Sequence, residues 1–336
     1  MTRRTRFALP ALALTGLLLS GCAGAPQAEP ADAGTAGADF PLTLTNCGTE
    51  VTLTSAPSKV VTLNQGATEV VLALGLGDQL AGTAHLDDAV SPVWAEEYAE
   101  VPVLSKEYPT NEELLATGAD LFYASYASAF DPKVAGTRAE LTGRGVGSYL
   151  SPFGCEEKSQ RPEASFDSVW GEVSDVAGAL GHPEAATALV AEQRAELTEL
   201  AEAGDGEDLD VFWWDGGTKA PNVGAGDGGP ALVMEAVGAE NVFDDLAGSW
   251  AEGNWEDVLA ADPDVIVLVD AAWDPAEEKK AHLTSDPVLS QLRAVQQERF
   301  VVVPFSASTA GVRLVEGART LAEGLRALEQ TDDTDR

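Results

Sequence analysis

The chain has 336 residues, 45% of them hydrophobic, and a formal net charge of −35 at pH 7. That is ample apolar material for a sizeable core, and more length than one domain usually takes. So acidic a body is repelled by phosphate backbones, which excludes nucleic acid as a partner.

Arg3, Arg4 and Arg6, the apolar run Phe7 to Leu19 and the ending Leu19-Ser20-Gly21-Cys22 read as a secretory signal closed by a lipobox-like motif. Residues 1–21 are then a signal peptide and Cys22 a lipidated first residue, so the expected location is the extracytoplasmic face of the cell membrane, held by a lipid anchor. The apolar run is too short for a permanent span. Arg3-Arg4 leaves the twin-arginine export route open beside the general one. Loss of the three signal arginines takes the charge to −38.

Residues 22–39 are rich in Ala, Gly, Pro and acids without apolar periodicity, the composition of a flexible tether. Beyond them, Leu42 to Thr45 and Thr49 to Leu53 alternate around Asn46-Cys47-Gly48, a hairpin pattern. With Cys22 lipidated, Cys47 and Cys155 remain as a pair that an oxidising compartment favours joining. Closing so long a loop stabilises by about 4.7 kcal/mol in the chain-entropy model. Two buried free thiols are the alternative.

Lys59 to Leu63 is a compact β-branched run, followed by a helix over Thr68 to Leu76 and a strand over Leu80 to Ala84. Further short strands are predicted at Asp120 to Ala124 and Val146 to Leu150. Phe166 to about Ala203 is a long helical tract interrupted at Gly178, Gly181 and Pro183. Its last 21 residues rise about 1.5 Å each, roughly 30 Å in all, enough to cross between two lobes. Strands then return at Leu209 to Trp214, Val265 to Val269 and Phe300 to Val303, and a helix from Gly311 to Leu328 precedes a polar, frayed end. Strands alternating with helices at this spacing make an α/β fold of mostly parallel sheets flanked by helices.

Asn111-Glu112-Glu113-Leu114-Leu115-Ala116, closing on Asp120-Leu121-Phe122, aligns without a gap on Trp255-Glu256-Asp257-Val258-Leu259-Ala260, closing on Asp264-Val265-Ile266. Each segment is a short helix with acids in its first turn leading into a buried strand. The chain therefore reads as two related lobes, 40–164 and 204–330, joined by a helical connection over 165–203. Glu112 and Glu256 occupy matching places.

The lipobox, the run Val60-Val61-Thr62-Leu63-Asn64-Gln65-Gly66-Ala67-Thr68-Glu69, the twin Glu segments, Asn241-Val242-Phe243 and the single bridging helix resemble the helical-backbone class of ABC-transporter substrate-binding lipoproteins, which serves ferric siderophores, haem and cobalamin. The resemblance covers nearly all of the chain after Phe40. It implies a monomer that grips a small molecule between its lobes and delivers it to a permease dimer powered by an ATPase. It also implies that Glu112 and Glu256 dock into basic pockets on the two permease subunits. An acid in a first helical turn is favoured by the helix dipole in any case, so capping and solubility are the plain alternative for both.

Ligand contacts belong on loops leaving the carboxyl ends of parallel strands. These nominate Asn64, Gln65, His85, Tyr123, Tyr126 and Ser151 in the first lobe. In the second they nominate Trp214, Asp215, Asn222, Trp250, Trp273, Ser306 and Arg313. Aromatics suit a broad ligand with apolar faces. Arg313 alone stands out as a cation, so a neutral or weakly charged metal chelate is expected rather than a polyanionic catecholate complex.

Gly224 to Pro230 lacks the Gly-Lys-Ser/Thr ending of a phosphate loop and reads as a flexible cleft loop. His85, near Asp87 and Asp88, is the only local metal-like grouping, and neither a resident metal nor a cofactor is expected. No Gly-x-Ser-x-Gly elbow or His-Glu-x-x-His helix supports an anchored hydrolase, so the protein reads as no enzyme. A receptor for a cofactor or its precursor (cobalamin, haem or a deazaflavin-like compound) and a sensor lipoprotein that presents ligand to a signalling partner remain open.

Overall fold

The computed structural model describes residues 39–86 and 88–334. The signal peptide, Cys22, all but the last residue of the expected tether, and Asp87 lie outside the described residues.

Strands β1 (Leu42–Asn46) and β2 (Thr49–Leu53) form the expected antiparallel hairpin. Cys47 and Gly48 turn the chain with φ values of 47° and 70°, the left-handed pair that a two-residue hairpin needs. The Cys47 and Cys155 sulfurs are bonded, with Cα atoms 5.3 Å apart, tying the hairpin to the loop below the first sheet.

That sheet contains β3 (Val60–Leu63), β4 (Leu80–Ala84), β5 (Val103–Ser105), β6 (Leu121–Ala124) and β7 (Gly147–Leu150). Its order is β5-β4-β3-β6-β7, and every pairing is parallel. Every residue of β3, β6 and β7 is buried, as both faces of a parallel sheet should be. Helices α1 (Gln65–Ala73), α2 (Ala95–Tyr98), α3 (Asn111–Ala116) and α4 (Arg138–Gly143) join the strands. The first helix starts three residues earlier than the sequence pattern placed it, because Asn64 turns sharply at φ 78° directly after β3.

The helical tract resolves into α5 (Phe166–Leu180) and α6 (Pro183–Ala203). Gly178 does not interrupt α5; one internal glycine costs only about 1 kcal/mol. The break falls at Gly181, whose φ of 88° only glycine adopts without strain, and Pro183 opens α6, where no N–H partner is needed. Ala185, Ala186 and Leu189 at the start of α6 pack into the first lobe's core, while Leu197 and Leu200 near its end pack into the second's. One rigid rod therefore shares its two ends between two cores.

In the second lobe, β8 (Asp210–Gly216), β9 (Asn222–Gly224), β10 (Glu240–Asn241), β11 (Trp250–Glu252), β12 (Val265–Asp270) and β13 (Phe300–Pro304) form a sheet of order β11-β9-β8-β12-β13. The pairs β8–β12 and β12–β13 are parallel, as is the short β10 along the start of β8. Strands β9 and β11 are antiparallel additions at one edge. Helices α7 (Gly229–Ala236), α8 (Trp255–Ala261), α9 (Ala276–Ser285), α10 (Arg293–Gln296) and α11 (Leu314–Thr334) cover it. The last helix continues to Thr334 and does not stop at Leu328 as its composition suggested. The central order β3-β6-β7 is repeated by β8-β12-β13, with α3 and α8 feeding the middle strand of each.

Polar links join the two lobes and the bridging helix. Gln193 of α6 donates to the Val312 carbonyl (3.0 Å) and accepts from the Trp170 indole (2.7 Å). Arg313, just before α11, is 3% exposed and pairs with Glu69 of α1 at 3.2 Å and with Glu316 of its own lobe at 2.7 Å. Its Nη1 also donates to the Ala89 carbonyl and to Ser306 Oγ, which in turn donates to Asp88.

Arg313→Met should lower unfolding stability by roughly 3–5 kcal/mol, because Glu69 is then left buried without its counter-charge. The double variant Glu69→Gln/Arg313→Met should recover much of that loss in urea titrations; equal losses in both would show that the pair is not coupled. Burial pushes the Glu69 carboxyl up to about 7, against the pull of Arg313 and the Gln65 and Ser91 donors. The folded chain thus keeps a proton that the unfolded chain releases from about pH 4.5, so stability from this residue is greatest below that pH and declines as pH rises to about 7. Thermal midpoints of Glu69→Gln across this window should fall less steeply than those of the parent.

Candidate ligand-binding cleft

Where the carboxyl ends of the two sets of strands face each other lies a cavity of about 920 Å³. Loops after β3, β6 and β7 supply one wall, and the loops after β9 and β13, with the first turns of α7, supply the other. For β3, β6, β7 and β13 the geometry follows from the parallel order, which sends the loop after each strand out of the carboxyl edge; the loop after β9 belongs to the antiparallel edge of the second sheet.

Six of the sequence-nominated residues line this cavity: Gln65, Tyr126, Ser151, Trp250, Ser306 and Arg313. Gln65 is 5% exposed, with its Nε2 donating to Glu69 (2.8 Å) and to the Ala89 carbonyl (3.2 Å), and its Oε1 has no donor. Trp250 stacks on Phe305, ring centroids 6.5 Å apart, and forms an apolar face. Arg313 is present but is not a free cation: Glu69, Glu316, Ser306 and the Ala89 carbonyl occupy its donors.

The other nominees lie elsewhere. Asn64 is fully buried behind the wall, joined both ways to the Tyr108 hydroxyl (2.9 and 3.1 Å). His85 stacks on Tyr108 at 4.2 Å and faces Glu107, outside the cavity; among the described residues no group of His, Cys, Asp and Glu could hold a metal ion. Tyr123 is buried one layer back and donates to Glu172 at 2.7 Å. Trp214 is a core residue, 1% exposed, packed edge-on against Trp255 and bonded to the Gly216 carbonyl. Asp215 and Asn222 bond to each other at 2.8 Å at the β8–β9 end, away from the cavity. Trp273 is 60% exposed and meets the edge of Phe305 from outside the lining. Tyr123 and Trp214 lie within β6 and β8 with their side chains in the core, whereas Trp273 lies on an exposed turn beyond β12.

Sequence reasoning missed the acids. Glu69, Asp88, Glu163, Glu172, Asp227 and Glu235 line the cavity, against Arg161 and Arg313. Glu172 is 4% exposed, accepts from Tyr123 and from the Ser151 hydroxyl, and has no cation beside it among the described residues. Burial pushes its carboxyl up to about 7. A signal for it existed: with Val169, Val173 and Val176, Glu172 falls on the inward stripe of α5, where an acid is out of place unless it serves a site. Glu69 likewise interrupts the apolar face of α1. Arg161 is exposed at the rim and donates to the Cys155 carbonyl at 2.6 Å.

Glu112 and Glu256 are each the second residue of their helix, and both are exposed. Thr110 and Asn254 cap these helices by accepting from Glu113 N and Asp257 N, so the backbone is held without either acid. Helices α3 and α8 lead back into the starts of β6 and β12, and neither Glu112 nor Glu256 lines the cavity.

Comparison with known proteins agrees with this architecture. An uncharacterized ABC transporter substrate-binding lipoprotein of Bacillus subtilis (strain 168), YvrC, is 24% identical over 94% of this chain and 95% of its own. A cobalamin-binding protein of Halobacterium salinarum is 27% identical over 79% of this chain and 69% of its own. The crystal structure of a periplasmic binding protein from Veillonella parvula superposes with a TM-score of 0.71 at 26% identity, covering 84% of this chain and 96% of that one. With two sister sheets, one bridging helix, and residues 60–307 matching the family model described as periplasmic binding protein, the chain belongs to that family, as a substrate-binding receptor of the ABC-transporter type in the helical-backbone class and not an enzyme.

Proposed function

We propose that the protein is the extracytoplasmic receptor of an ABC importer that takes a ferric siderophore or similar metal chelate into the interlobe cavity and delivers it to the permease. The cavity itself carries this reading. At about 920 Å³ it is at the upper end of the range for small-molecule sites, and it joins an aromatic face to converging polar groups. Residues 1–21 serve as signal peptide and 22–39 as tether. Residues 40–164 and 204–330 form the two lobes, and 165–203 connect them. Cys22 carries the lipid, and the folded body works as a monomer. The cobalamin-binding relative supports a second reading of the cargo, a corrinoid, which the same flat aromatic wall accommodates.

Delivery requires that the loaded lobes be recognised, and the exposed carboxylates of Glu112 and Glu256, one on each lobe, are suited to two basic sockets on a permease dimer. Charge pairs desolvated in an interface couple by roughly 1.5–7 kcal/mol, whereas exposed ones contribute little. Glu112→Ala and Glu256→Ala should therefore leave thermal stability and ligand affinity unchanged and together abolish uptake in cells carrying the transporter. Full uptake by the double variant would remove the docking role while leaving the binding role intact.

A further inference from the structure

We propose that the cleft selects cargo presenting hydrogen-bond donors and carrying no net negative charge: a cationic or neutral chelate bearing ammonium, amide or hydroxyl groups. The inference deepens the receptor reading above and rests on it. Six carboxylates line the cavity, Glu69, Asp88, Glu163, Glu172, Asp227 and Glu235, against two guanidiniums. Neither guanidinium is free for an anion at the cavity's depth. Arg313 is spent on Glu69, Glu316, Ser306 and the Ala89 carbonyl, and Arg161 sits at the exposed rim holding the Cys155 carbonyl. A carboxylate or catecholate entering this space meets an excess of like charge and, among the described residues, no free cation at that depth; Glu163, Asp227 and Glu235 are exposed, so their share of the repulsion is screened by solvent.

A second, independent feature points the same way. Gln65 lines the cavity at 5% exposure, its amide nitrogen is committed to Glu69 and Ala89, and its Oε1 accepts from nothing. A buried acceptor left without a donor is costly; the Oε1 is itself closed off from solvent, so a donor on the cargo meets it once the Gln65 side chain turns toward the cavity. Nearby in the same wall Glu172, held in place by Tyr123 and Ser151, is a further acceptor with no basic partner. The first lobe's wall thus offers acceptors, while Trp250 and Phe305 opposite offer apolar surface for the body of a chelate.

Matched probes test this on the intact mature protein, read by quenching of tryptophan fluorescence. One series keeps a single ferric trihydroxamate core, ferrioxamine B, and changes only its pendant group from ammonium to N-acetyl to N-succinyl. The other compares cyanocobalamin with its monocarboxylate, in which one amide donor is replaced by an acid. In whichever series binds, the carboxylate form should bind about tenfold or more weakly than its ammonium or amide parent. Glu172→Gln, which keeps shape and removes charge, should narrow that gap. A carboxylate form that binds as tightly as its parent, or a ferric tris-catecholate that binds best, overturns the charge selection and leaves the receptor reading standing. Failure of every probe overturns the metal-chelate reading and this inference with it.

Discussion

One guanidinium is shared between carboxylates of opposite lobes, and the cleft is shaped around it. Arg313 enters from the segment before α11, yet it reaches Glu69 on the first helix of the other lobe, over 244 positions of sequence. A buried ion pair adds little net stability compared with apolar packing, because desolvating both charges offsets most of the attraction. What it does fix is geometry, since a charge that is buried must be met by its partner in one arrangement. Here that arrangement places α1, Ala89, Asp88 and Ser306 around one end of the cavity. The α6 rod, with Gln193 bonded to Val312 directly beside Arg313, sets the same relation from the other side.

These two constraints together resist movement of one lobe against the other. A rod whose ends are embedded in both cores offers few soft dihedrals, and the polar link at Arg313 resists pulling the lobes apart. Closure around cargo is then a small adjustment within a preformed space and not a hinge through a wide angle. Such preorganisation lowers the entropic cost of binding, because less of the protein must be ordered when the ligand arrives.

The fold was legible because its signals are local and repeated. Val60 to Leu63 and Val265 to Val269 are short, continuous and rich in β-branched residues, as suits a strand covered on both faces. The twin segments at Asn111 and Trp255 exposed the internal duplication before any coordinate did. The site was harder to read. Gln65, Ser151 and Ser306 closely follow β3, β7 and β13 at the carboxyl edge, where the rule for parallel strands looks, while Trp250 reaches the cavity from the antiparallel strand β11. Trp214 and Tyr123 lie near the ends of other strands, β8 and β6, with their side chains in the core, and periodicity over so few residues does not fix which face is the cleft. Arg313 was recognised as unusual, but its partner lay on another lobe, and sequence carries no sign of a contact between residues so far apart.

The acids illustrate a more general point about reading charge. A net charge as negative as this one invites the view that every carboxylate is solvating surface, and at Glu163 or Glu235 exposure agrees. Glu69 and Glu172 are different in kind, because each lies on the apolar stripe of its helix and each is held by specific donors. Burying a carboxylate costs several kcal/mol unless it is met by donors, and a fold with ample Val and Leu at the same helical positions has no structural need for one. Glu69 is met by Arg313. Among the described residues Glu172 is met by two hydroxyls and by no cation, and it lines the cavity.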